Sequence, residues 1–256
     1  MGIHSLHLQR TKGETMRAVI LQPMYLPWMG YFGLIDIADV FVFYDDVQFV
    51  KRSWHQRNKI KMPNGNWIWL TVPVIQNPDK KININEVMIN NSIKWAEKHW
   101  KSIKHAYTKA PFFKDYAPIF EEIYKKEWTY LSNLNIALIE KISDLLGLKN
   151  DKKFIYSSEL KVEGKKTDRL INILTKIGAD EYISGPTAKA YIDSNKFKEA
   201  GITLYWYEFN HPTYPQLYGD FIPYMSVIDL LFNVGENALN YIRKGSKNAL
   251  ILEGGT

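Results

Sequence analysis

The sequence predicts an α/β fold built on a parallel, Rossmann-like sheet, with a mostly helical second region. Three observations predict it. Two short apolar runs, residues 18–21 and 40–44, read as strands around a glycine- and aromatic-rich connection, giving a β-loop-α-β beginning. Both runs stop at polar, constrained residues, Gln22-Pro23 and Asp45-Asp46, where ligands sit in open α/β sheets. Strand-like segments return after residue 150, beyond a stretch of helical periodicity at about 92–147.

The elements follow in order. After the first strand, Pro23 and Pro27 stiffen the loop because each fixes its own φ and restricts the residue before it. Gly30 permits close backbone approach. After the second strand comes a basic-aromatic run, residues 51–61. Asn64-Gly65 is a turn signal, and residues 67–74 alternate as a β segment that Pro73 confines to a sheet edge or end. Residues 82–89 read as another short extended piece. Helical spacing places helices at 93–107, 112–127 and 131–146, the last stopped by Gly147. Then come a strand at 154–158, a helix at 167–177 closed by Gly178, a strand end at 182–184, a further strand at 202–207, and helices at 226–232 and 236–244. The expected organisation is a leader (1–15), one α/β domain (16–246) and a tail (247–256).

Composition bounds the function. Of 256 residues, 46% are hydrophobic and 23% charged, ordinary for a soluble globular chain. No apolar run approaches the roughly 18 residues of a membrane span. The absence of cysteine excludes disulfides, thiolate metal sites and thiol nucleophiles, and fits a cytoplasmic location. The leader carries His4, His7, Arg10 and Lys12 without the apolar centre of a signal peptide. Met16 reads as a more natural start, with the leader disordered or an extension. The net charge of +6 is spread along helix faces except for two clusters, 51–61 and 161–169. Clusters of that size suit a few phosphates.

The chemistry gathers at the strand ends. Asp45 and Asp46 offer a base, a ribose ligand or a Mg²⁺ ligand, with Gln48 beside them. Adjacent side chains of an extended chain diverge, so one of the two carboxylates faces a site. Pairing of such an acid with Lys51, Arg52 or Arg57 is the structural alternative. Arg52 and Arg57 present forks that fit phosphate or carboxylate, and Trp54 between them can stack on a ring. Ser184-Gly185 closes a strand with a small-residue turn suited to an anion. His211 lies in a loop after a strand, whereas His99 and His105 read as surface or capping residues without a third ligand at zinc spacing. Asp229 and Asn233 lie one helical turn apart. No Gly-x-Ser-x-Gly elbow, Walker loop or dinucleotide fingerprint occurs.

Taken together, several motifs resemble the WbqC-like family. They are Gln22-Pro-x-Tyr-Leu-Pro-Trp-x-Gly-Tyr-Phe32, Phe43-Tyr-Asp-Asp-Val-Gln48 and Lys51-Arg-x-Trp54 with Arg57-Asn58. Ser184-Gly-Pro186, Tyr214-Pro-Gln216 and Ser226-x-Ile-Asp-Leu-Leu-Phe-Asn-x-Gly235 complete them. The resemblance covers residues 17 to about 244. His55-Gln56 depart from it, standing where arginine- or asparagine-like residues are expected. The resemblance implies work on bacterial surface polysaccharide, such as O-antigen of lipopolysaccharide, by transfer of an aminoacyl (glycyl-like) or acyl group to the amine of a nucleotide-linked amino sugar. Without cysteine the enzyme forms no thioester of its own. The donor is then an aminoacyl-tRNA, an acyl carrier, or an acyl-adenylate made with ATP and Mg²⁺. Candidate catalytic residues are Asp45, Asp46 and His211. Candidate substrate-binding residues are Gln22, Tyr25, Trp28, Gln48, Lys51, Arg52, Trp54, Arg57, Asn58, Ser184, Gly185, Tyr214, Gln216, Asp229 and Asn233, and no metal ligand is named. Two other classes stay open. One is an ATP-dependent nucleotidyl transferase or ligase. The other is a non-catalytic nucleotide-sugar-binding protein that stacks its ligand on Trp28, Tyr31 and Trp54.

Overall fold

The computed structural model describes residues 15–75, 81–149 and 152–254. The leader, apart from Thr15, lies outside them. Among the described residues, six strands form the main sheet: β1 (Arg17–Leu21), β2 (Val40–Phe43), β5 (Lys153–Tyr156), β6 (Glu181–Ser184), β7 (Thr203–Tyr207) and β8 (Leu250–Leu252). Their order is β5-β2-β1-β6-β7-β8, parallel throughout except for the antiparallel edge strand β8. The fold is therefore mixed α/β with a Rossmann-like core. The chain leaves β1 toward β2 on one side and later toward β6 on the other. The strand order reverses between β1 and β6, which makes that gap the switch point of the sheet.

Both faces of the sheet are buried, which explains the unbroken apolar runs of β1 and β2. Alternate residues serve different cores. Val19, Phe41, Phe43 and Ile183 pack with α1 (Met29–Ile37), α8 (Val227–Val234) and α9 (Ala238–Ser246). Ala18, Ile20, Val40 and Val42 pack under α6 (Lys166–Ile177) and α7 (Ser194–Glu199).

The helical region is α2 (Trp95–Tyr107), α3 (Phe113–Lys125) and α4 (Leu131–Leu145), at the positions the apolar spacing predicts. It shares the larger core with α1 and with a separate antiparallel hairpin, β3 (Arg57–Lys61) and β4 (Trp67–Thr71). The hairpin turns at Gly65, whose φ of 79° a side chain would strain. The basic run 51–61 thus divides into a turn and β3. The short helix α5 (Ser157–Leu160) begins where an extended residue 157 is expected. Residues 82–89 are a one-turn 3-10 helix, Ile84–Glu86, flanked by single bridges to Gln48, Val74 and Tyr130 rather than a strand.

One expectation fails outright. His99 is buried, not a surface or capping residue. Its Nε2–H donates to the Thr71 carbonyl at 3.2 Å, which leaves Nδ1 to accept from the Tyr25 hydroxyl at 2.8 Å. A carbonyl can only accept, so these partners fix the tautomer. Lysines around residue 99 suggested a wholly solvated face, but position 99 falls on the apolar stripe with Trp95 and Ile103.

Candidate functional site

A cleft of two adjoining chambers opens at the carboxyl ends of β1 and β6. The smaller, about 380 Å³, lies over the switch point and is lined by Gln22, Tyr44, Gln48, Lys166, Ser184 and Tyr191. The larger, about 820 Å³, is aromatic, lined by Trp28, Trp54, Phe209 and Tyr224 with Lys59 and Glu208 at its wall. Leu21, Leu34, Gly185 and Thr187 line both chambers. A Cβ placed on Gly185 would meet nothing within 4 Å, so the backbone there faces open space.

The loop after β1 is held from every side. The Trp54 carbonyl accepts from Tyr25 N–H at 3.0 Å, and the Asn58 amide donates to the Leu26 carbonyl at 2.7 Å. The Asn135 amide, on α4, reaches both the Pro23 carbonyl (3.2 Å) and the His55 carbonyl (2.7 Å). These contacts hold Leu26 at a φ of 43°, a conformation costly for a branched side chain. Tyr224, across the aromatic chamber, is also left-handed, with a φ of 60°. Such strain persists only where the surroundings over-determine it, and it clusters at functional sites.

His55 sets the orientation of Gln22. Its Nε2–H donates to Gln22 Oε1 at 2.9 Å. Burial lowers the His55 pKa to about 4, so the ring is neutral near pH 7. With its oxygen occupied, Gln22 has its amide NH₂ to offer a ligand in the smaller chamber.

A model of the WbqC-like protein family matches residues 22–241, from the loop after β1 into α9. The chain belongs to the WbqC-like protein family. This WbqC-like chain is 38% identical over 229 residues to the uncharacterized protein Rv1507c of Mycobacterium tuberculosis. The match covers 89% of this chain and 97% of that relative. No solved structure matches the chain.

The WbqC-like cleft gathers some of the candidate residues and leaves others outside. Gln22, Gln48, Ser184 and Gly185 line the smaller chamber; Trp28, Trp54 and Asn58 join Gly185 in the larger. His211 stacks on Trp28 at 6.1 Å and lies edge-on to Tyr224 at 4.9 Å. Its Nδ1–H donates to the Pro212 carbonyl at 3.0 Å, and its Nε2 accepts from Tyr224 N–H at 3.1 Å, so both nitrogens are engaged. Burial lowers its pKa.

The carboxylates are engaged as well. Asp45 is buried, accepts from Ser158 N–H at 3.0 Å and Ser158 Oγ at 2.7 Å, and shares the Ser157 hydroxyl, 3.0 Å away, with Asp46. Asp46 pairs with Arg169 at 2.5 Å, not with Lys51, Arg52 or Arg57. So occupied, the two carboxylates do not fit a Mg²⁺ site. Among the described residues, no cluster of three or more His, Asp or Glu is gathered for a metal.

Other candidates sit in the framework. The Tyr25 hydroxyl is shared between His99 and Tyr124. Asp229, fully buried, accepts from the Tyr107 and Tyr214 hydroxyls and the Gln216 amide at 2.7–2.8 Å. The Asn233 amide donates to the Asp229 carbonyl at 2.7 Å. Lys51 and Arg52 are exposed in the turn before β3, and Arg57 lies over the Trp69 ring. Several lining residues escape sequence reasoning. Lys59 and Lys166 belong to the two basic clusters, which signal them as groups but not singly. Phe209, Tyr224 and Tyr191 are isolated loop aromatics that no local pattern separates from core rings.

Proposed function

We propose that the cleft binds a nucleotide-linked amino sugar in the cytoplasm and that the protein is a tailoring transferase of bacterial surface polysaccharide. The observation that carries this reading is the pairing of a polar chamber at the switch point with an aromatic chamber beside it. Phosphates belong over the strand ends, near the Gln22 amide, Ser184-Gly185 and Lys166. A base or sugar ring belongs between Trp28, Trp54 and Tyr224, where flat faces stack. Among the described residues, no helix is long and apolar enough to cross a membrane.

The reaction this reading assigns is amide formation. The sugar amine attacks the carbonyl of an aminoacyl or acyl donor, a C–N bond forms, and the donor C–O or C–S bond breaks. The proton lost by the amine goes to the leaving oxygen or sulfur through a base. His211 is the candidate base nearest the aromatic chamber; to act, its Nε2 must be released by the Tyr224 N–H. In this reading the Gly185 backbone, which borders both chambers, is the candidate donor to the oxyanion.

A second reading, a non-catalytic nucleotide-sugar-binding protein, is favoured by one observation: Asp45, Asp46 and both nitrogens of His211 already have partners. Titration with a nucleoside diphosphate amino sugar, the free sugar and the free nucleotide tests binding. Mass spectrometry of the sugar after incubation with aminoacyl-tRNA, an acyl thioester, or amino acid plus ATP tests transfer. Binding without any mass gain selects the second reading. ATP consumption selects a ligase. No affinity for any nucleotide sugar sinks both the transferase and the binding reading.

A further inference from the structure

The face of the β3–β4 hairpin turned away from the core carries cations and tryptophans in alternation. Asn58 and Ile60 point inward, while Arg57 and Lys59 stay partly exposed on the opposite face. Across the ladder, Lys59 is in register with Trp69, and Trp67 is 41% exposed. The Lys59 ammonium lies 5.0 Å from the Trp67 ring centre and 5.9 Å from that of Trp69, and the Arg57 guanidinium lies 4.1 Å over Trp69. Trp54 continues the row 5.4 Å from Trp69, is 44% exposed, and lines the aromatic chamber with Lys59. The row therefore runs from open solvent to the mouth of the cleft.

We infer that this hairpin face is a docking platform for single-stranded RNA, whose 3′ end enters the cleft past Trp54. Rings supply sequence-tolerant stacking and the interleaved cations track phosphates, the combination that binds single strands. A neutral oligosaccharide would use the rings but gain nothing from Arg57 and Lys59. A duplex would use the cations but keep its bases stacked away from the rings. The inference rests on the transferase reading for what the RNA carries, an aminoacyl group bound for the sugar amine.

Fluorescence anisotropy with a labelled single-stranded RNA of about ten nucleotides, long enough for one binding groove, tests the platform. The expected result is binding that weakens with added salt and exceeds binding of a matched duplex by roughly tenfold or more. Trp67→Ala should cost roughly fivefold or more in RNA affinity, and Lys59→Glu a similar factor. Trp67 lies outside the cleft lining, so Trp67→Ala should leave nucleotide-sugar affinity at the wild-type value. Unfolding curves check that the variants fold; if Trp67→Ala does not, Trp67→Phe and Lys59→Glu decide. Equal binding of duplex, insensitivity to these substitutions, or displacement by a neutral oligosaccharide overturns the platform. RNA binding that depends on Trp67 in a protein with no affinity for nucleotide sugars would sink the transferase reading and keep the platform. The converse would sink the platform alone.

Discussion

His55 and His99 are buried neutral rings, each tied by one N–H to a carbonyl oxygen. Burial lowers both pKa values from 6.5 to about 4. The unfolded chain therefore binds these protons more readily than the native one, and stability falls as pH drops through that interval. Stability should be level above about pH 6.5 and decline toward pH 4, by roughly 3 kcal/mol for each histidine. Urea denaturation across this range checks it; His99→Gln should lower stability at pH 7 and flatten the slope, and an unchanged slope refutes the assignment. The adjacent carboxylates should also separate. Asp45→Asn exchanges a charged acceptor for a neutral one beneath the two Ser158 donors and the shared Ser157 hydroxyl, a loss of about 1.5–3 kcal/mol. Asp46→Asn instead frees Arg169, which lies 5.3 Å over the Tyr44 ring at the smaller chamber. Its effect should appear in affinity for phosphorylated ligands, measured by titration, more than in stability. Matching effects of the two changes would remove that distinction.

At the scale of elements, α1 and the loop before it form one unit because the Trp28 side chain folds back over Gly30. A Cβ on Gly30 would come within 2.3 Å of the Trp28 ring. Alanine gains at most about 1 kcal/mol in helix propensity over glycine. Displacing a packed indole costs about 1–3 kcal/mol, so the steric term wins. Gly30→Ala should be destabilised in denaturant and should bind nucleotide sugar more weakly, because the moved ring is a wall of the aromatic chamber. Wild-type affinity in a folded Gly30→Ala protein would show that Trp28 does not contact the ligand.

Across the whole molecule, Asp229 is the knot. It sits on α8 and joins Tyr107 of α2 to Tyr214 and Gln216 of the loop after β7. Lys61 of β3 reaches the same network through Gln216 Oε1 at 3.0 Å. Burial raises the Asp229 pKa, while the three donors and the Lys61 ammonium oppose that rise. Asp229→Ala would strand the buried Tyr107 and Tyr214 hydroxyls, each at a cost of about 1–3 kcal/mol, and would leave the half-buried Gln216 amide only its second acceptor, the Ile222 carbonyl. Against a total stability of about 5–15 kcal/mol, that is a large fraction. A fall in Tm of roughly 6–12 °C or more is expected by calorimetry, since 1 kcal/mol shifts a domain of this size by about 2–4 °C. A shift under about 2 °C would mean that the network adds little to stability.

The strands and helices were legible because their signals are local. The runs 18–21 and 40–44 are apolar at every position because both sheet faces are covered, and Leu134, Leu138 and Ile142 repeat at helical spacing under one packed stripe. Gln22 and Ser184 were legible as strand-end residues for the same reason. Tertiary structure decided what depends on contacts far apart in sequence. It placed β6 beside β1 and so created the switch point, and it paired Asp46 with Arg169 across 123 residues. It also turned the polar groups of Tyr25, His99 and Asp229 inward, where each finds partners that no spacing rule announces. A side chain's type and its neighbours in sequence fix which backbone conformations are favourable. Whether a polar group meets water, a ligand or a buried partner is settled only when distant segments compete to cover it.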